Sequence, residues 1–485
     1  MLNELKKESN MTVTENGAAT LRTTGSECLD LFAAIGALRS AEEAEIVNRF
    51  LRAWAEDRTI AMKLLFYGRD IRGGLGERRV FRILLNWLAK EYPDVVRKNL
   101  PLISEYGRWD DVLLLLDTPC EKDAMALIAR QLEEDKKAMG TSASVSLLAK
   151  WLPSVNTSSR EAVAHAKRVA RALGMQDAAY RKTLVALRAY IRILENNLRE
   201  RDYTFEYADQ PSKALIKYRR AFRRNDGERY AAYLDSVARG EAQMHTGTLM
   251  PYEIVEKAMR CGGDADERRT LDVTWNALEN FAGDRNALCV IDGSGSMHWG
   301  GKPLPIAVAV SLGMYFAERN TGAFRNHFIT FSHDPRLVEI KGADLVEKVK
   351  YCMSYNEVAD TNIQKVFELV LNAAVKNRLS QAELPETLYI ITDMEFNACT
   401  QDADTTNFDY ARDLYRRSGY ELPQLVFWNV QSRNAQQPVR MNEQHVALIS
   451  GCTSRIFSMA ASGDLDPYRY MLQVLNSERY APICT

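Results

Sequence analysis

Ala287-Leu288-Cys289-Val290-Ile291-Asp292-Gly293-Ser294-Gly295-Ser296 is a short apolar, β-branched run that ends in an acid and breaks into a glycine/serine turn. Its length and its Val and Ile content predict a buried strand, and the glycines predict a backbone that wraps closely after it. Similar runs recur at His327–Phe331, Thr387–Thr392 and Leu425–Val430, and helical segments follow the first three at Pro305–Arg319, Ala343–Met353 and Phe408–Ser418. Strands alternating with amphipathic helices predict a parallel, doubly wound α/β domain over 286–485. In such sheets ligands bind outside the carboxyl ends of the strands, so the residues just after each run are the ones to inspect.

Towards the N-terminus the pattern changes. From about Ala41 to Phe281 one helical segment follows another, at Ala41–Asp57, Thr59–Arg69, Glu77–Glu91, Asp94–Tyr106, Asp110–Leu116 and Ala124–Met139 and onward, each with apolar residues at i, i+3, i+4 spacing. Short connections carry Gly73-Gly74, Pro93, Gly107, Pro153, Gly174 and Gly227. Helices in antiparallel succession without strands predict a HEAT-like helical-repeat solenoid over 26–285. The expected fold class is therefore α + α/β. Residues 1–25 are polar and Thr/Asn/Gly-rich, and read as a flexible N-terminal arm. The segment Asp30–Leu38 is too apolar for a free tail and requires a surface to cover it.

The chain has 485 residues, 63 Lys+Arg against 64 Asp+Glu and 46% hydrophobic residues, which excludes a disordered or fibrous protein. No apolar run approaches the ~18 residues of a membrane span. Lys6 and Lys7 are not followed by an apolar stretch, so no secretory signal is expected. Eight cysteines without C-x-x-C spacing predict a reducing, cytoplasmic location, with neither disulfides nor structural zinc.

Asp292, Ser294 and Ser296 place one carboxylate and two hydroxyls at alternate positions of one loop. Thr392-Asp393 follows another predicted strand, and Asp360-Thr361-Asn362 precedes the helix Ile363–Val375. An all-oxygen set with few carboxylates suits a hard cation that keeps some waters, Mg²⁺ or Mn²⁺. The competing reading of D-x-S-x-S alone is a glycine/serine turn with an acid capping a helix. Together with the Thr and the second Asp, the pattern resembles the metal-ion-dependent adhesion site of von Willebrand factor A domains. By matching position, the resemblance implies that Asp292, Ser294, Ser296, Thr361 and Asp393 hold the ion directly or through water. It also implies an open position on the metal for a carboxylate supplied by a protein partner.

Charge is unevenly spread. Residues 151–240 hold 18 Lys+Arg against 10 Asp+Glu, and residues 51–100 hold 11 against 6. Such asymmetry suits a chain that meets a polyanion with one face. Tyr180-Arg181-Lys182, Arg188-Ala189-Tyr190-Ile191-Arg192 and Lys213–Arg224 interleave rings and cations, as single-stranded RNA binding requires. Candidate contacts are Arg69, Arg72, Arg78, Arg181, Lys182, Arg188, Arg192, Lys213, Lys217, Arg219, Arg220, Arg223 and Arg224. For any single helix the alternative is a solvated face with its rings tucked into the core, and Tyr218 and Phe222 are expected there.

Asp70-Ile71-Arg72-Gly73-Gly74-Leu75-Gly76-Glu77-Arg78, Glu105-Tyr106-Gly107-Arg108-Trp109-Asp110-Asp111 and Lys150-Trp151-Leu152-Pro153-Ser154 resemble signatures of the TROVE module, the ring of helical repeats in Ro-type RNA-binding proteins. Tyr180-Arg181-Lys182-Thr183-Leu184 and Pro251-Tyr252-Glu253-Ile254-Val255 are similar to a TROVE-like branch known as a domain of unknown function, DUF2828. The resemblance implies that the solenoid closes into a ring and forms a ribonucleoprotein scaffold for small structured or single-stranded RNA, followed by the A domain.

Other constellations carry less. Gly73-Gly74-Leu75-Gly76 lacks the G-K-[ST] ending of a phosphate-binding loop and follows a helix, so a tight turn after a helix end is expected, with Arg69, Arg72, Arg78 and Arg79 near it. Ser294 lacks a full G-x-S-x-G elbow, and His298 reads as a loop histidine or an outer neighbour of the metal loop. A metal-dependent phosphohydrolase using Asp292 as nucleophile would carry a second acid two positions on, where Ser294 stands. The expectation is a non-enzymatic RNA scaffold, against the alternative of a protein-interaction adaptor whose basic faces are only solvated.

Overall fold

The computed structural model describes residues 10–332, 334–355, 362–397, 407–459 and 466–485. Contacts divide the chain into two compact units, one of Met1–Gly68, Arg72–Val80 and Thr246–Pro482, the other of Arg69–Ile71, Phe81–His245 and Ile483–Thr485. The helical stretch 26–285 is therefore not one compact body. Its two ends, up to Val80 and from Thr246 on, fall in the compact unit that contains the sheet.

The first unit is built on a six-stranded sheet. Its strands are β3 (Ala287–Asp292), β4 (His327–Phe331), β5 (Leu337–Glu339), β6 (Thr387–Thr392), β7 (Gln424–Asn429) and β8 (Val446–Ser450), in the order β5-β4-β3-β6-β7-β8. All pairs are parallel except β4 with the edge strand β5. The chain leaves β3 towards β4 and leaves β6 towards β7, in opposite directions, so the topological switch point lies between β3 and β6. Every residue of β3 is buried, as expected of a central parallel strand covered on both faces. Helix Pro305–Arg319, apolar on nearly all sides, lies against it. Gly313 permits this approach, because a Cβ there would stand 2.4 Å from Ile291 Cδ1. The register of Ile291 is held by its pairing with Thr330 of β4 and Ile391 of β6.

Residues 10–25 are not a free arm. They form a hairpin of β1 (Met11–Val13) and β2 (Ala19–Leu21), tied to distant chain by bridges Gly17–Asn397 and Leu21–Gln437. Thr20 Oγ1 donates to Gln437 O at 2.8 Å, and Ala18 joins the core between the sheet and helix Ile363–Asn377. The surface that Asp30–Leu38 requires is the end of β8. Gly36 N donates to Ser450 Oγ at 3.0 Å, Ser450 Oγ to Phe32 O at 3.1 Å, and Ser432 N to Ala37 O at 3.1 Å. Gly36 is required here, since a Cβ would fall 2.7 Å from Gly451 Cα. The Gly73-Gly74 turn folds onto a helix end as expected, with Leu75 N on Tyr67 O at 3.0 Å and no room for a Cβ at Gly74.

The second unit is helical, with Pro93–Tyr106, Glu121–Ala138, Arg160–Ala172, Asp177–Tyr190, Ser212–Asn225 and Gly227–Ala238 as its longer elements. Its polar centre is Asp111, fully buried. Arg69 Nε and Arg82 Nε donate to its two carboxylate oxygens at 2.9 and 2.6 Å, and Arg108 N completes the set at 3.1 Å. Gly107 leaves the space for it, because a Cβ would lie 2.5 Å from Asp111 Oδ2. The Gly107-Arg108-Trp109-Asp110-Asp111 motif is thus explained by packing, with Arg108 also stacked 4.0 Å over Trp151. Among the described residues the seven cysteines are free thiols, and no helix is long and apolar enough to cross a membrane.

Replacing Asp111 by Ala leaves the Arg69 guanidinium buried without its carboxylate, and should cost about 3–5 kcal/mol of stability in urea denaturation. A midpoint within error of the parent's would show that the cluster is not structural.

Candidate metal centre and nucleic-acid surface

The switch point brings together the ends of β3 and β6, and with them Asp292 and Asp393. Asp292 is 0% exposed and Asp393 2%. Thr392 Oγ1 donates to Asp292 Oδ2 at 2.6 Å and Ser294 N to Asp292 Oδ1 at 2.9 Å, which fixes the carboxylate's plane. Ser294 Oγ and Ser296 Oγ face each other at 3.1 Å on the same loop. Burial, and then the charge of Asp393 beside it, push the Asp292 carboxyl up to about 7, against the pull of the Thr392 and Ser294 hydrogen bonds. Asp393 Oδ1 accepts from Glu395 N at 3.2 Å. Its Oδ2 has an ion contact with Arg433 Nη2 at 3.1 Å but no aligned hydrogen bond among the described residues.

Two carboxylates share one water-poor place, Asp292 beside the hydroxyls of its own loop and of Thr392, and Asp393 with one oxygen lacking a hydrogen bond; among the described residues Arg433 is the one cation in ion contact with them. The donors are oxygens only, as a hard divalent cation prefers. Asp292, Ser294, Ser296 and Asp393 therefore fit such an ion. Thr361, and Asp360 before it, lie outside the described residues; Asn362 follows as the cap of helix Ile363–Asn377. Among the described residues no group of three or more His, Cys, Asp and Glu is arranged to hold a metal ion, so any cation here would rely on the serine hydroxyls beside the two acids. His298 sits in the 3-10 turn Gly295–His298 after the loop, its Nε2 buried without a partner among the described residues.

Sequence reasoning missed Arg433 and Glu15. The first follows β7 by four residues and so lies on a crevice loop, the signal that could have flagged it. The second sits at the hairpin tip, with nothing local to mark it.

The thirteen proposed RNA contacts divide by exposure. Arg69 is buried on Asp111 and is removed from the set. Arg188 is removed too, because Nε, Nη1 and Nη2 donate to Ala149 O, Ser154 Oγ and Leu152 O at 2.8, 2.6 and 2.7 Å. Burial also lowers its basicity. Arg219 is 9% exposed and donates to Ile216 O at 2.6 Å, an inward position in a helix whose core face is Leu215, Ile216 and Phe222. Lys213 and Arg223 are half-buried. Exposed are Arg72 and Arg78 in the first unit, and Arg181, Lys182, Arg192, Lys217, Arg220 and Arg224 in the second. Lys217, Arg220 and Arg224 share one outward stripe of helix Ser212–Asn225. The aromatic residues are mostly spent elsewhere. Phe222 is core as expected, packed against Tyr207 and Tyr230, with Tyr233 stacked on Tyr207. Tyr218 is half-buried, its hydroxyl on Glu195 at 3.2 Å, and Tyr180 is buried on Pro153 O. Tyr190, 42% exposed, is the aromatic residue of this stretch left at the surface.

Comparison with known proteins gives two domains of unknown function. DUF2828 matches residues 14–126 and 157–284, and DUF7788 matches residues 286–465. A protein of Acanthamoeba polyphaga mimivirus, itself described as uncharacterized, is 29% identical over 517 residues, spanning 98% of this chain and 89% of that protein. The crystal structure of the Deinococcus radiodurans Ro (RSR) protein aligns at 15% identity and a TM-score of 0.34 over 96% of both chains.

Arg188→Ala leaves two backbone carbonyls and a serine without their charged donor, and should destabilise the second unit by about 2–3 kcal/mol. Thermal unfolding measures this; an unchanged melting temperature would return Arg188 to the list of surface contacts.

Proposed function

We propose that this protein is a non-enzymatic RNA-binding scaffold. Its helical second unit holds small structured or single-stranded RNA through surface cations, and its α/β domain carries a Mg²⁺ or Mn²⁺ ion that accepts a carboxylate from a protein partner. What carries the RNA reading is the outward stripe Lys217–Arg220–Arg224, with Arg181, Lys182 and Arg192 also exposed, in a stretch holding 18 Lys+Arg against 10 Asp+Glu. Matches to DUF2828, and the TROVE-like motifs in the same region, agree with it. With most rings buried, affinity rests on phosphate contact and counterion release, and stacking is confined to Tyr190. The metal reading rests on the oxygen set at the switch point, where the ion would neutralise Asp292 and Asp393 and offer Lewis acidity to an incoming carboxylate. Ser294, not an acid, stands two residues after Asp292, which is why the scheme contains no phosphoryl transfer. Free thiols agree with a cytoplasmic setting.

If six to ten phosphates are contacted, affinity for single-stranded RNA should fall by about 10³–10⁵ between roughly 50 and 200 mM salt. Reversing Lys217, Arg220 and Arg224 to Glu should weaken binding and flatten that slope in filter-binding titrations, while Asp292→Ala leaves RNA affinity unchanged. A parent protein without salt-dependent RNA affinity would instead support a protein adaptor. Asp292→Ala should abolish Mg²⁺ binding in calorimetry with the fold intact by circular dichroism; equal affinity in variant and parent would eliminate the site.

A further inference from the structure

Arg433 is placed oddly for a surface arginine. Its Nη2 stands 3.1 Å from Asp393 Oδ2, a carboxylate whose side chain is 0% exposed, while its Nη1 stands 3.0 Å from Glu15 Oε2 at the exposed tip of the N-terminal hairpin. Its Nε is buried and has no hydrogen-bond partner among the described residues, so the guanidinium is held by its two ion contacts and not by an aligned fork. Glu15 is positioned for this contact. Its carboxylate accepts from Asn434 Nδ2 at 2.9 Å, and its backbone N donates to Glu395 Oε2 at 2.9 Å. Asn16 Nδ2 donates to Glu395 O at 2.7 Å and Thr14 Oγ1 to Phe396 O at 2.5 Å. The hairpin tip is thus fastened to the segment that follows Asp393, and one cation spans the two.

We infer that Arg433 is a built-in counter-cation of the metal centre, which competes with the divalent ion for Asp393 and is handed to Glu15 when the ion binds. This rests on the metal reading above. A carboxylate in a low-dielectric place cannot hold a guanidinium and a divalent cation side by side without strong repulsion between them. The divalent ion, with Asp292 and the serine hydroxyls as further donors, displaces the guanidinium. Glu15, already within ion-pair distance and half-exposed, receives it with a rotamer change and no movement of the hairpin. Metal occupancy is thereby linked to the charge at the hairpin tip, and the protein without metal keeps Asp393 partly neutralised.

Calorimetric titration of the full-length, chelator-stripped protein with MgCl₂ tests this. Arg433→Gln should bind Mg²⁺ about tenfold more tightly than the parent, and Arg433→Lys, which keeps the charge, should stay near the parent. Glu15→Gln should bind about three- to fivefold more weakly, because the displaced arginine has lost its alternative carboxylate. In the Arg433→Gln background that second change should have no effect, which a merely structural role for either residue would not produce. Equal or weaker Mg²⁺ binding by Arg433→Gln, or an equal Glu15→Gln effect in both backgrounds, would overturn the inference while leaving the metal centre in place. Absence of Mg²⁺ binding in the parent and in Arg433→Gln alike would remove the metal centre itself.

Discussion

The carboxylate of Asp292, with no exposure to water and a hydroxyl and an amide aimed at it, is the constraint around which the α/β domain is arranged. A charge at the end of a central strand is costly unless matched, and here a second acid, Asp393, ends the next strand of the sheet. The strand order puts both at the one point where the chain turns away in opposite directions. Gly313 lets helix Pro305–Arg319 lie directly on Ile291 of the strand that delivers Asp292. Thr392, from the neighbouring strand, then orients the carboxylate. Positive charge is the missing component, and Arg433 supplies part of it from a loop that the hairpin tip helps to hold.

Arginines elsewhere in the chain show how burial divides structural from available charge. Arg69 and Arg82 neutralise Asp111, and Arg188 ties the Ala149–Ser154 segment by donating to three acceptors. Such guanidiniums are spent. On helix Ser212–Asn225 the core face takes Arg219 with Ile216 and Phe222, and the opposite face keeps Lys217, Arg220 and Arg224 in solvent. The helical period sorts them, and it leaves a polyanion a narrower, more regular surface than the raw charge balance of the stretch suggests.

Much of this was legible in the sequence because the signals were local. β3, β4 and β6 have the boundaries read from their apolar runs, and β7 is shifted by one residue. Asp292, Ser294, Ser296 and Asp393 lie at or just after the ends of β3 and β6, where strand ends in a wound sheet are expected to meet. β5 and β8 were missed: the first is a three-residue edge strand with only Val338 buried, and the second follows a polar loop without a helix before it. The N-terminal hairpin reads as a free arm because its two strands have only three residues each within a polar, Thr/Asn/Gly-rich stretch. Its stability comes from Asn397 and Gln437, hundreds of residues away, and no periodicity reports such pairing. For the same reason Glu15 carried no signal. Inward arginines were indistinguishable from outward ones, since a guanidinium that bonds backbone carbonyls leaves no mark in the identity of its partners.

The claim that most of this account depends on is that the Asp292–Asp393 crevice holds a divalent cation. Anomalous diffraction at the manganese edge, from crystals of the intact chain grown with Mn²⁺, tests it directly. The account predicts one strong anomalous peak in contact with oxygens of Asp292, Ser294, Ser296 or Asp393, with the Arg433 guanidinium turned towards Glu15. A clear map of the same loops with saturating Mn²⁺ and no peak between them, and with Arg433 still on Asp393, would contradict it.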